Sequence, residues 1–256
     1  MTMAHKPIHR RPQRPPAACA DWAYFIDLDG TLVDIADSPS GINVDATLRD
    51  LLARLRQACG GAVALVSGRA LDDLDHHLQP LCLPAAGQHG LEHRDATGTV
   101  TRRGFDPAAM DTLRAALAPV VERYPSLLLE DKGQSLALHF RRQPRLAPYL
   151  HRLMQDLASG LSGLIELQRG KRVVEARPAG WHKGTAIADL LAKPPFHGRR
   201  PVFIGDDITD ENGFVIVNAL QGLSIKVGPG QTAARFRLPD VDGVLTWLST
   251  ILKEKA

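Results

Sequence analysis

Apolar residues along this chain follow two rhythms. Short runs at 22–26, 62–66, 201–204 and 223–227, unbroken but for Ser224 and Lys226 in the last, have the length and composition of buried strands. Between them the spacing turns helical. Val44, Leu48, Leu51, Leu52 and Leu55 recur on one helical face, and Gly60–Gly61 stops that helix. A short helix is predicted over Leu71–Leu78, with Pro80 and Pro84 breaking the pattern behind it. Between Ala86 and Pro178 the grammar changes. A hairpin around Gly98, a helix over Pro107–Arg123, strands at 127–130 and 135–140, a helix over Pro144–Ser159 and a strand pair at 164–168 and 172–176 read as an α+β insert. The strand–helix alternation then resumes: a helix from Trp181, a strand to Gly205, a helix from Asp210, a strand over 223–227 and a last helix over Val241–Leu252. The expected architecture is a parallel α/β core, 21–86 with 179–256, interrupted by an α+β cap at 87–178.

Composition narrows the classes without choosing a function. The 256 residues are 44% hydrophobic and 23% charged, an ordinary globular balance with enough chain to bury a core unaided. No apolar run approaches the roughly 18 residues of a membrane helix, so no membrane partner is expected. Four of the 31 basic residues and none of the 28 acidic ones fall in the first twenty positions. The net charge of +3 therefore belongs to a Pro- and Arg-rich tail, 1–20, which is expected to be disordered. The remainder shows no basic face, so no nucleic-acid partner is expected. Cys19, Cys59 and Cys82 are odd in number and lack ligand spacing, which fits a reducing, cytoplasmic setting. A monomer or weak oligomer is expected.

Open α/β sheets bind ligands at the carboxyl ends of their strands. Four polar segments stand at or beside such ends. They are Asp27-Leu28-Asp29-Gly30-Thr31, Ser67-Gly68-Arg69, Lys183-Gly184, and Gly205-Asp206-Asp207 with Asp210 and Glu211. Each has a bland reading: a solvated turn, a helix cap, a surface lysine, or acids matched to a helix dipole. Together they suit a hard divalent cation and a phosphoryl group, with lysine and hydroxyl balancing the phosphate charge. An Asp can also attack phosphorus, giving an aspartyl-phosphate that water later hydrolyses.

The order of these segments resembles the haloacid-dehalogenase-like phosphatase superfamily, whose Rossmann-like parallel sheet core carries an inserted cap. With the insert pieces at 129–141 and 173–184, the chain looks like a bacterial-type trehalose 6-phosphate phosphatase. That resemblance implies Asp27 as nucleophile and Asp29 as general acid and base. It implies Ser67 and Lys183 as holders of the phosphoryl group, with Gly68 and Arg69 beside the substrate. Mg²⁺ would sit on Asp27, Asp206 and the Asp29 backbone carbonyl, with Asp207 and Asp210 supporting the metal water or Lys183. Glu130, Lys132 and Glu175 would read the sugar hydroxyls, and Gln88, His89 and Gly90 would line the site. The implied substrate is the small molecule trehalose 6-phosphate. Two rivals stay open: a phosphatase of the same fold acting on another sugar phosphate, and a receiver-like phosphoacceptor without turnover. Asp29 and a large cap have no use in the second.

Overall fold

In the computed structural model, which describes residues 13–36, 41–103, 107–161, 163–170 and 172–253, the apolar runs become the centre of an eight-stranded sheet. Its strands are β1 (Ala23–Ile26), β2 (Val63–Val66), β3 (Ala85–Gly87), β4 (Glu92–Arg94), β5 (Val100–Arg102), β10 (Pro201–Gly205), β11 (Leu223–Val227) and β12 (Phe236–Leu238). The order is β12-β11-β10-β1-β2-β3-β4-β5. From β12 to β3 all pairs are parallel, and β4 pairs antiparallel to β3. β1 lies between β10 and β2, so the chain leaves it in one direction and returns on its other side. That is a topological switch point, where open sheets form their ligand crevice.

The central strands are buried on both faces, which is why β1, β2 and β10 read as continuous apolar runs. Tyr24, Ile26, Leu65 and Ile204 face one layer, with Leu48, Leu52 and Leu55 of α1 (Ala46–Ala58), Leu74 of α2 (Leu71–Leu78) and Leu248 of α7 (Val241–Lys253). Ala23, Phe25, Val66 and Phe203 face the other, with Ile187 of α5 (Lys183–Leu191) and Phe214 of α6 (Glu211–Ala219). Asp45 caps α1 by accepting the Leu48 N–H at 2.8 Å.

A second sheet holds β6 (Leu128–Asp131), β7 (Leu136–His139), β8 (Ile165–Gly170) and β9 (Val173–Pro178), in the order β6-β7-β9-β8 and antiparallel throughout. One face packs Leu136, Leu138, Val174 and Ala176 against Leu113 of α3 (Pro107–Arg123) and Leu150 and Met154 of α4 (Ala147–Ser159). The chain divides into two compact units, Met1–Val100 with His182–Ala256, and Thr101–Trp181. The first crossing falls later in the chain than residue 87. The 92–102 hairpin, expected in the insert, pairs with β3 and extends the larger sheet. β3 and β12, three residues each, had no sequence signal. Their runs are too short for a period, and Ala85-Ala86-Gly87 lacks β-branched residues.

The expectation of a disordered tail over 1–20 needs correction where the structure describes it. Positions 1–12 lie outside the described residues. Gln13 pairs in parallel with Phe236 of β12, exchanging hydrogen bonds of 3.1 and 2.9 Å with Arg235 and Arg237. Trp247 Nε1 donates to the Pro16 carbonyl at 2.7 Å, and Ala18 is buried. An open sheet edge and an indole N–H supply partners that composition cannot reveal. Among the described residues, no helix is long and apolar enough to cross a membrane.

Candidate active site

The acidic segments meet at the switch point. Asp27 directly follows β1 and Asp206 directly follows β10, and the two strands are direct neighbours. Lys183, the first residue of α5, is buried, and its Nζ lies 3.0 Å from Asp27 Oδ1 and 2.7 Å from Asp210 Oδ1. Carboxylate oxygens of Asp27, Asp206 and Asp210 all lie within 4.8 Å of one another.

Two glycines permit this crowding. A Cβ on Gly30, which has φ +73°, would lie 2.2 Å from Asp206 Oδ2. One on Gly205 would lie 2.5 Å from Asp210 Oδ2. Only residues without a side chain let the carboxylates approach the backbone this closely.

The electrostatics are those of a cluster short of positive charge. Burial, with Asp210 and Asp206 alongside, pushes the Asp27 carboxyl well above its usual range despite Lys183. Burial and the neighbouring Asp210 and Asp207 push Asp206 up to about 7. Burial works to lower the Lys183 ammonium, but its pairs with Asp210 and Asp27 outweigh that and hold it above the ordinary lysine value. Three carboxylates against Lys183, with Lys226 also acting on Asp206, leave room for a divalent cation. Hard oxygen donors at this spacing suit Mg²⁺.

Asp210 stands within the carboxylate cluster as well as on Lys183, a closer part than the supporting one implied by the resemblance. Asp207 stays exposed, and its N–H donates to Asp210 Oδ2 at 2.9 Å. The Asp29 carboxylate lies outside the cluster, clasped by Arg69. Arg69 therefore spends its guanidinium on Asp29 and Asp73. Ser67 is buried after β2, and its Oγ accepts the Arg69 N–H at 3.2 Å. His89 presses on the same turn: a Cβ on Gly68 would lie 2.8 Å from its ring. Gln88 and His89 hold positive φ of 46° and 57° ahead of Gly90. Gln88 is buried, and its Oε1 accepts no hydrogen bond from the described residues. Such a strained, unsatisfied acceptor is what a ligand donor would complete.

In the second unit, strand register gathers the three expected sugar readers. Glu130 pairs with Ala137, which pairs with Glu175, so the two glutamates flank a small side chain on one face. Lys132, two residues beyond Glu130, places Nζ 3.4 Å from Glu175 Oε1, which also accepts from Ser135 Oγ at 2.7 Å. His139 Nε2 lies 2.9 Å from Glu130 Oε2. That hydrogen bond outweighs burial and holds the Glu130 carboxyl below its ordinary value. Trp181 is covered by the Arg103 guanidinium, 4.3 Å from the ring centroid.

Sequence reasoning passes over Asp73 and Lys226 and sets His139 aside as a structural hydrogen bonder. Lys226 is a buried lysine inside an apolar strand, and its Nζ donates to the Asp206 carbonyl. A charge within such a run was a readable signal. Asp73 stands four residues from Arg69 and His139 nine from Glu130 across the β6–β7 hairpin, but an acid in a first helical turn and a lone histidine on a strand both read as ordinary structural residues.

Comparison with known proteins agrees with this geometry. The family model described as trehalose-phosphatase matches residues 25–242. The trehalose-6-phosphate phosphatase of Escherichia coli K12 is 42% identical over 236 residues, covering 92% of this chain and 88% of that protein. A solved trehalose-6-phosphate phosphatase related protein superposes with a TM-score of 0.76 at 26% identity, over 91% of this chain and 99% of the other. A haloacid dehalogenase-like hydrolase from Bacteroides thetaiotaomicron shares the fold, with a TM-score of 0.66 at 17% identity over 90% and 99% of the two chains. The Asp27–Lys183–Asp210–Asp206 cluster thus lies in a chain that matches this family over most of its length, and the chain belongs to the trehalose-phosphatase family.

Proposed function

We propose that this chain hydrolyses trehalose 6-phosphate to trehalose and phosphate through an aspartyl-phosphate on Asp27. The observation that carries the reading is the cluster at the switch point of buried Asp27, Lys183 and Asp210 with half-buried Asp206. Phosphate-monoester hydrolysis is among the slowest uncatalysed reactions, with enhancements up to ~10²¹-fold, so no single group suffices.

An Asp27 oxygen attacks phosphorus and the bond to the sugar oxygen breaks, with Asp29 giving that oxygen a proton. Water then attacks the aspartyl-phosphate, Asp29 takes the water's proton, and phosphate leaves. The Lys183 ammonium and the Ser67 hydroxyl hold the phosphoryl oxygens, with the Gly68 backbone beside them. Asp27, Asp206 and Asp210, with the Asp29 carbonyl, would hold Mg²⁺, which neutralises phosphoryl charge when bound. Asp207 steadies Asp210 through its N–H.

Sugar recognition falls to Glu130, Lys132 and Glu175, with Gln88, His89 and Gly90. Carboxylates accept from vicinal hydroxyls, and buried groups built for hydroxyls reject analogues that lack them. The shared face of Glu130 and Glu175 and the open acceptor of Gln88 support this assignment. The cysteine pattern supports a cytoplasmic setting.

The test is phosphate release from trehalose 6-phosphate against glucose 6-phosphate and other sugar phosphates, with Mg²⁺ or chelator and with Asp27→Asn as blank. Selective, chelator-sensitive release that the variant lacks is expected. Release favouring another sugar would overturn the substrate assignment, and release by Asp27→Asn would remove the nucleophile.

A further inference from the structure

Both oxygens of the Asp29 carboxylate are taken by one side chain. Arg69 Nε donates to Oδ2 and Nη2 to Oδ1, each at 2.7 Å, a planar fork matched to a planar carboxylate. The third arm is used as well: Nη1 donates to Asp73 Oδ2 at 2.6 Å, from the first turn of α2. The Arg69 main chain is pinned at both ends. Its N–H donates to Ser67 Oγ at 3.2 Å, and its carbonyl accepts the Gln88 N–H at 2.8 Å. A Cβ on Gly87 would lie 2.9 Å from that carbonyl, so the strand runs hard against it. The Arg69 side chain is 10% exposed and Asp29 34%, so the fixed partner is the arginine and the accessible one the carboxylate.

We propose that Arg69, braced by Asp73, positions Asp29 for proton transfer to the leaving group and makes no contact with the sugar. The inference rests on the hydrolase reading above. As an Asp27 oxygen bonds to phosphorus, the bond from phosphorus to the sugar oxygen breaks. Its electron pair stays on that oxygen, which takes the proton of the Asp29 carboxyl. The fork takes one lone pair on each oxygen and fixes the plane of the carboxyl, leaving its remaining lone pairs to face the leaving oxygen. Orientation of this kind turns proton transfer into a step within a preformed pair.

Leaving-group dependence reads out this role. An alkyl ester departs as a strongly basic alkoxide and needs the proton, whereas p-nitrophenolate departs without one. kcat/KM covers only the steps through cleavage of the ester bond, so the later water step does not enter. It is measured with Mg²⁺ for the full chain, Arg69→Gln and Asp73→Asn on trehalose 6-phosphate, a small alkyl phosphate and p-nitrophenyl phosphate. General acid catalysis contributes about 10²–10⁴-fold, so Arg69→Gln is expected to lose about tenfold or more on both alkyl esters and under about threefold on the aryl ester. Asp73→Asn is expected to show the same pattern at smaller size, with retained aryl activity proving both variants folded. Arg69→Lys, offering one point charge for the fork, is expected between wild type and Arg69→Gln. Loss confined to trehalose 6-phosphate would make Arg69 a sugar contact and overturn the proposal. Equal loss on all three esters, or no loss, would overturn it too. A wild type that releases phosphate from no ester would sink the hydrolase reading first, and the inference with it.

Discussion

At the residue scale, the position least tolerant of change is one without a side chain. Gly30 brings the Asp27–Thr31 turn to within van der Waals distance of the Asp206 carboxylate, at a φ of +73° that L side chains rarely adopt. Gly30→Ala should therefore displace Asp206 and abolish Mg²⁺-dependent phosphate release, which a chelator-blanked assay would detect; near-wild-type turnover would contradict the proposed cation site. Glu130 offers a test through pH. His139 depresses its folded-state pKa, so its stabilising contribution is full above the unfolded carboxylate value and is lost as pH falls through the folded one. Thermal melts from pH 7 to pH 3 should show Glu130→Gln losing part of the acid-limb slope, a change below about 1 kcal/mol for a partly exposed pair. An unchanged slope would deny the hydrogen bond its weight. Of the candidate residues, those at strand ends were legible because a parallel sheet announces its strand ends. The Arg69–Asp29 fork was not, because 40 residues separate its partners.

At the scale of elements, helix α1 shows how far local rules reach. Its apolar stripe and its glycine stop were readable, Leu48, Leu52 and Leu55 are buried against the sheet as that stripe requires, and the structure adds the Asp45 cap. Removing the cap by Asp45→Ala should cost about 0.5–2 kcal/mol. At about 2–4 °C per kcal/mol for a unit of this size, Tm should fall by a few degrees with activity retained. A Tm unchanged within error would mean the Leu48 N–H finds an equal partner elsewhere. Residues 13–20 show where local rules fail. A Pro-rich, basic stretch has no core of its own, yet here it borrows an edge strand and the Trp247 indole. β4 fails similarly: its alternation was visible, but which sheet it joins depends on β3, a strand too short to see.

For the whole molecule, the buried carboxylates make folding and cation binding one equilibrium. Lys183 pairs with Asp27 and Asp210 while an Asp206 oxygen lies within 4.8 Å of theirs, so the metal-free protein keeps mutual repulsion that a divalent cation relieves. Mg²⁺ at a hundred times its dissociation constant should add about 2.7 kcal/mol and raise Tm by several degrees, reversed by chelator. Asp206→Asn should lose most of that rise; a rise that persists would place the cation elsewhere.

By itself the sequence determined the alternation of strands and helices, the interruption by an α+β segment, and the polar segments flanking the core strands. These follow from hydrophobic period and turn chemistry, which act over a few residues. Only the tertiary structure decided which carboxylates share Lys183, that Arg69 spends itself on Asp29, and where the 92–102 hairpin and residues 13–20 attach. Strand order brings residues tens of positions apart to within 3 Å, and ion pairing and edge pairing are then settled by burial and neighbouring charge.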